Sequence, residues 1–342
     1  MKKINNLHKL LMTVLMIAML AFAFTGCTSG PQKEEKTESK SNNDKSSLEG
    51  LKIGFCVTNR DQFQTEQEGI AKELCDSKGI ELSVADAKED ISTQISQVSS
   101  FVNAGCDLLM INCVDAESIQ EIINAAGDVP CVFFNRMPSD HSVFDENHYY
   151  VGMSDYDCGY DMGKFMAEWL KDNNKTDTAD GVLFLGPLGA TNTVSRTDGI
   201  KKGLADSGYK VNWVFEDTAE WDRSKAMDKF TQFMGSGKKF DFIAANNDDM
   251  ALGCIEALTA AGYSAPFDFP IAGIDATENG LLAVGDGTLT ATFDQSPSKM
   301  TNYCFEIAFA ILQDTDMPEE VKDFTWIYKA EMVTADNVDD FK

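Results

Sequence analysis

Residues 131–138 read Cys131-Val132-Phe133-Phe134-Asn135-Arg136-Met137-Pro138. The run is apolar and rich in β-favouring side chains up to Phe134, then turns polar, which predicts a strand buried on both faces and ending at Asn135. Strands of that kind belong to parallel sheets covered by helices, and in such open sheets ligands sit beyond the carboxyl ends of the strands. Asn135 and Arg136 stand at that end, offering an amide and a guanidinium. Turn propensity alone would also explain a polar pair there.

Outward from this strand the chain alternates between short β-rich runs and amphipathic helical stretches. Expected strands are 51–57, 80–85, 108–112, 131–135 and 149–152, with helices over 64–78, 91–104 and 116–126 between them. A second series follows: strands 181–185, 211–215, 242–245, 271–274 and 289–293, with helices 156–171, 193–207, 222–234, 248–261 and 278–284. Repeated βα units imply parallel sheets with right-handed crossovers, and two series imply two doubly wound α/β lobes. A further helix (297–313) and strand (324–333) are left over at the end.

Residues 1–27 read as a targeting segment: Lys2, Lys3 and Lys9 precede an apolar stretch from Leu10 to Phe24 that is short for a membrane span. The close at Gly26-Cys27 has the form of a lipidation site on Cys27. Residues 28–49 are polar and charged without apolar periodicity and read as a flexible tether. With a formal charge of −26, the chain is a poor partner for nucleic acid. Nine cysteines occur without a CxxC or Cys/His cluster, so zinc is not indicated, and the eight beyond Cys27 read as small buried thiols. None of the three histidines has a nucleophile motif beside it; His8 lies in the targeting segment, and His141 and His148 are expected on a surface loop.

Further candidates stand at other strand ends. Asp61 and Phe63 follow the first strand; a carboxylate accepts hydroxyl hydrogen bonds, and a phenyl face packs on the C–H face of a sugar ring. Helix capping and core packing are their plain alternatives. A glycine-rich turn from Gly186 opens a helix carrying Asn192 and Arg196 on one face at i,i+4 spacing. The turn lacks the GxGxxG and GKS/T signatures of phosphate loops. Trp221 offers a second aromatic platform. Asn247 opens a helix, Asp275 ends a strand, and Gln295 follows the last strand of the second series. Amides, guanidiniums, carboxylates and two aromatics together suit a neutral polyhydroxyl ligand better than an anion.

The segments Asp128–Arg136, Tyr149–Asp155, Asp217–Asp222, Ala245–Gly253 and Gly273–Ala276 resemble the hexose- and ribose-binding proteins of bacterial ABC transporters, the glucose/galactose binders in particular. The resemblance covers residues 50–342. It implies a periplasmic binding protein of type I, with a three-crossover hinge. The amino-terminal lobe would comprise 50–152 plus 296–329, and the carboxy-terminal lobe 153–295 plus 330–342. It implies capture of a monosaccharide, galactose or glucose first, and delivery to an ABC permease by a lipoprotein at the outer face of the cell membrane. The alternative is a receptor for ribose or another small ligand, feeding a membrane chemosensor or sensor kinase. No enzyme activity and no required cofactor follow from it; a glycosidase using Asp61 and Asp275 is the catalytic rival. Ala190 and Asn192 replace a histidine and an aspartate of the subfamily, and Gln295 replaces an asparagine, so the pairing scheme with the sugar differs. The subfamily also carries a structural calcium loop, whose ligand positions are occupied here by Asp172, Asn174, Thr176, Thr178 and Asp180, with Asp241 as a remote ligand.

Overall fold

The computed structural model describes residues 47–341 except Thr176. Five strands open the fold: β1 (Lys52–Val57), β2 (Glu81–Asp86), β3 (Leu108–Ile111), β4 (Cys131–Phe134) and β5 (His148–Met153). Helices α1 (Gln62–Lys78), α2 (Ile91–Asn103) and α3 (Ile119–Ala126) connect the first four. Side chains of β4 alternate between two apolar layers: Val132 and Phe134 join one, Cys131 and Phe133 the other. Both faces of the strand are therefore buried. Each such Phe contributes about 1.5–3 kcal/mol through burial.

The chain then continues through α4 (Asp155–Asp172), β6 (Thr178–Leu185), α5 (Thr191–Asp206), β7 (Lys210–Thr218) and α6 (Arg223–Gly235). It goes on to β8 (Phe242–Ala245), α7 (Asp248–Ala260), β9 (Ile271–Ala272), α8 (Glu278–Gly285) and β10 (Thr292–Asp294). Last come α9 (Pro297–Gln313), β11 (Thr325–Tyr328) and β12 (Glu331–Val333). The first sheet has the order β11-β5-β4-β3-β1-β2 and the second β7-β6-β8-β9, and every pairing in both is parallel. The architecture is two doubly wound α/β lobes.

Three passages join the sheets. The chain leaves the first sheet after β5, returns after β10 to place α9 and β11 on it, and leaves again between β11 and β12. The single strand expected over 324–333 is thus two strands. The chain changes lobes at Lys329–Ala330, so β11 pairs with β5 while β12 pairs antiparallel with β10. Likewise the strand expected at 289–293 contributes only an isolated bridge, Ala272 to Ala291, before β10 turns away into that two-stranded ribbon. Two tyrosines pin these passages. Tyr150 Oη donates to the carbonyl of Asn135 at 2.8 Å, and Tyr328 Oη to that of Gln295 at 2.6 Å.

The helices start where strands end, and short polar residues cap them. Asp61, Asp90, Ser154, Asp222, Asn247, Thr277 and Ser296 each accept a hydrogen bond from a backbone N–H in the first turn of their helix. Capping therefore gathers polar side chains along the edge where the two sheets face one another. All eight described cysteines are buried and unpaired. A further expectation fails: His148 is not on a surface loop but buried at the start of β5, its Nδ1 2.7 Å from Asp145 Oδ1.

Candidate functional site: the interlobe cavity

A cavity lies between the lobes. From the first lobe it is lined by Asp61, Phe63 and Gln64 at the start of α1, and by Asn135 and Arg136 after β4. The second lobe contributes Asn192 and Arg196 of α5, Trp221 before α6, Asn247 at the cap of α7, Asp275 after β9, and Gln295 after β10. All ten residues singled out from the sequence reach this one space.

The arginines are held from behind. Arg136 gives Nη1 and Nη2 to Glu89 at 3.0 and 2.9 Å, and Nη1 also to the Val114 carbonyl at 2.6 Å. Its Nε–H is buried and has no partner, so this donor of a fixed guanidinium remains for a ligand oxygen. Arg196 donates Nε to Asp155 at 2.7 Å, Nη1 to the Asn246 carbonyl at 2.7 Å and Nη2 to Gln295 Oε1 at 2.6 Å. Its Nη1 also lies 3.5 Å from Asp275. Burial works against that charge, but Asp155 and Asp275 more than offset it and hold Arg196 firmly protonated.

The two cavity carboxylates are less well compensated. Burial pushes Asp61 up to about 6, against the hydrogen bonds from the Gln64 backbone and side chain. Burial likewise raises Asp275 well above the carboxylate range, with Arg196 pulling the other way. Asp61 both caps α1, accepting from Gln64 N–H at 2.8 Å, and lines the cavity. Asn247 does the same for α7, accepting from Met250 N–H at 3.0 Å and donating to the Trp221 carbonyl at 3.3 Å. The capping and binding readings of these two residues are compatible, because the caps sit at the cleft.

Backbone conformation marks the same place. Asn135, Trp221 and Asp275 have φ of 70°, 64° and 130°, and Ser296 beside Gln295 has 44°. Such left-handed or rarer conformations in residues other than glycine cost about 1–3 kcal/mol each and cluster at ligand sites. Trp221 lies with the Arg196 guanidinium 5.6 Å from its ring centroid. Its indole fits because residue 186 is glycine: a Cβ there would collide with the ring and with Thr193 Oγ1.

The lobes touch across the cavity. Gln295 Nε2 donates to Asn135 Oδ1 at 2.8 Å, while Gln62 Oε1 of α1 accepts from Arg223 at 3.1 Å and Asn279 at 2.9 Å. Gln295, expected to face the ligand with a free amide, spends both ends of that amide on Arg196 and Asn135 and so ties the two walls together. The two walls of the cavity are thus in direct contact.

Several residues went unnoticed in the sequence. Gln64 follows Asp61 in a D-x-x-Q capping pattern that could have revealed it; it binds Thr58, Asn59 and Asn112 and orders the end of β1. Glu89 and Asp155, which hold the arginines, carry no local signal. Asp248, fully buried, accepts from Thr277 N–H at 3.1 Å and Thr292 Oγ1 at 2.7 Å and so shapes the turn that presents Asp275.

At the loop expected to hold calcium, several of the side chains are paired within the protein. Asp241 Oδ1 receives Lys175 Nζ at 2.8 Å and Oδ2 the Asp180 N–H at 2.9 Å, while Asp180 Oδ1 accepts from Asn212 at 2.8 Å. Asp172 ends α4, Thr178 opens β6, and Asn174 sits in the turn between them; Thr176 and Cys27 lie outside the described residues. Among the described residues no three His, Cys, Asp or Glu side chains gather to hold a metal ion.

Two doubly wound lobes, three connecting passages and a polar cavity closed between them define a hinged solute-binding protein. The comparisons agree. Residues 53–316 match the periplasmic binding protein domain family. The chain is 34% identical over 233 residues to a D-galactose/methyl-galactoside binding periplasmic protein of Haemophilus influenzae, covering 65% of this chain and 69% of that one. It is 30% identical over 291 residues to a xylitol-binding protein of Mycolicibacterium smegmatis, covering 84% and 78%. An ABC transporter solute-binding protein of Bacillus halodurans, solved with bound myo-inositol, superposes with a TM-score of 0.73 at 28% identity over 86% of this chain and 98% of its own. The chain belongs to the periplasmic sugar-binding proteins of ABC transporters. Its relatives are solute-binding proteins rather than enzymes.

Proposed function

We propose that the protein captures a single polyhydroxyl ring, D-galactose or D-glucose first, and presents it in the closed form to an ABC permease. The observation that supports this best is the convergence of ten strand-end residues from both lobes on one small cavity with two aromatic faces. Phe63 and Trp221 would sandwich the apolar faces of the ring. Asp61, Asp275, Asn135, Asn192 and Asn247 would pair with hydroxyls, and Arg136 Nε would donate to a ring or hydroxyl oxygen. Closure removes these bonds from water, and a micromolar affinity, about −8 kcal/mol, suffices for capture. A cyclitol or acyclic polyol is the second reading, favoured by the myo-inositol and xylitol relatives. A ribose receptor feeding a chemosensor or sensor kinase would use the same cavity.

A thermal-shift and titration panel of galactose, glucose, ribose, xylitol and myo-inositol tests this, because a ligand of the folded state raises the melting temperature by mass action. A shift with a hexose supports the first reading, and a shift only with inositol or xylitol the second. Silence across the panel refutes both. Membrane anchoring through Cys27 belongs to the same proposal; fatty-acid labelling should be lost in Cys27→Ser.

A further inference from the structure

The charges around the cavity do not cancel. Each arginine that lines it is already neutralised by a carboxylate from outside the lining, Arg136 by Glu89 and Arg196 by Asp155. Asp61 remains as a charge, beside Asp275, whose carboxyl burial holds toward its protonated form. Among the described residues no lysine or arginine nitrogen comes within 4.0 Å of Asp61, and Asp275 has only the 3.5 Å approach of an arginine already committed elsewhere. Asp249, the next carboxylate outward, is spoken for by Arg223 at 2.6 Å. With Asp61 ionised, the cavity and its supports hold more carboxylate than guanidinium charge, in a space walled by both lobes.

The approach has the same sign. A groove of about 610 Å³, sharing Arg136 with the cavity, is lined by Glu89, Asp115, Glu220 and Asp222, with Lys225 and Arg136 as its cations. Arg136 is paired with Glu89 and Lys225 with Glu220, leaving Asp115 and Asp222 uncompensated. A cleft of one sign concentrates ligands of the other. A hydroxyl offers a carboxylate one neutral donor, whereas an ammonium offers up to three charged ones.

Resting on the polyol reading above, we propose that the ligand this cavity takes best is an amino-substituted sugar or cyclitol, its ammonium facing the Asp61 carboxylate. Carboxylate-bearing and phosphorylated sugars are excluded by the same field. The amine-bearing ring fills the place of the missing countercharge while its remaining hydroxyls use Asn135, Asn192, Asn247 and Arg136.

The test is calorimetric titration of the purified full chain with matched triplets: glucose, glucosamine and glucuronate; galactose, galactosamine and galacturonate; and myo-inositol with an amino-deoxy inositol and inositol phosphate. In at least one triplet the amine should bind about tenfold or more tightly than its hydroxyl parent, and the anion should not bind. Asp61→Asn keeps a capping oxygen for α1 and should bring the ratio of amine to parent affinity down to about one. Asp61→Ser, another capping residue, serves if that variant does not fold. Parents that bind while no amine exceeds them overturn the inference and leave the polyol reading standing, as does an amine preference that survives at full size in the folded variant. If no member of any triplet binds, the polyol reading fails and the inference falls with it.

Discussion

Gly186→Ala adds one methyl group and removes nothing, which makes it a clean probe of how Trp221 is held. The new Cβ would come closer to the indole Cζ2 and Cη2 than the 3.0 Å that real Cβ atoms essentially never breach, and Thr193 Oγ1 blocks it on the other side. The indole must retreat by on the order of 1 Å to regain ordinary contact, and overpacking of this kind costs about 1–3 kcal/mol of stability. The ring cannot retreat freely. Its backbone is fixed at φ 64° and Asn247 donates to its carbonyl, so the ring tilts away from the cavity and from the Arg196 guanidinium. Losing part of an aromatic stacking contact, about 0.5–1.5 kcal/mol, and of a desolvated cation–π contact, about 0.5–2 kcal/mol, predicts a total near 1–3 kcal/mol. That is roughly a 5- to 150-fold rise in Kd. Calorimetry with the tightest ligand of the panel reads the affinity, and circular dichroism checks the fold. Gly69→Ala is the control: it lies on α1 with open space around its Cβ, so it should leave Kd unchanged and stabilise the helix by about 0.5–1 kcal/mol. A folded Gly186→Ala protein with wild-type Kd would refute the placement of Trp221 at the ligand.

Glu89→Gln leaves the buried Arg136 without its bidentate carboxylate; with Glu89 partly open to solvent, the expected loss is about 1–2 kcal/mol of stability with weaker ligand binding, read by urea melts and calorimetry. Stability should fall as pH rises from about 4 to 7.5. Burial raises Asp248 to about 7 and Asp61 to about 6, above their unfolded values, so the native state holds protons that the unfolded state has released in that window. Asp248→Asn should flatten the slope of urea-derived stability against pH, and an unchanged slope would count against the assignment. Gln62→Ala removes the contacts with Arg223 and Asn279 across the cleft, so ligand release should quicken several-fold in stopped-flow fluorescence while the melting temperature without ligand changes little. Calcium should leave the melting temperature unchanged, because Lys175 already meets Asp241; a calcium-dependent rise would put a cation in the 172–180 loop.

The alternating strand and helix pattern, the two lobes and the ten cavity residues were all legible in the chain itself. The reason is that a doubly wound sheet has only one place for a ligand, and each βα junction writes its polar residues into the sequence immediately after an apolar run. Val132–Phe134 followed by Asn135-Arg136 is such a junction, and Asn246-Asn247 after β8 is another. What local sequence does not contain is partnership between residues far apart along the chain. Glu89 meets Arg136 from 47 positions away, Gln295 meets Arg196 from 99 and Asn135 from 160. Whether an arginine is a free charge for a ligand or already neutralised depends on those meetings. Likewise the pairing of Asp241 with Lys175 exists only because β8 settles beside β6. Side-chain type and spacing determine which groups line the cavity; the net charge of the cavity is a sum over carboxylates and guanidiniums brought together by the fold, and tertiary structure alone decides it.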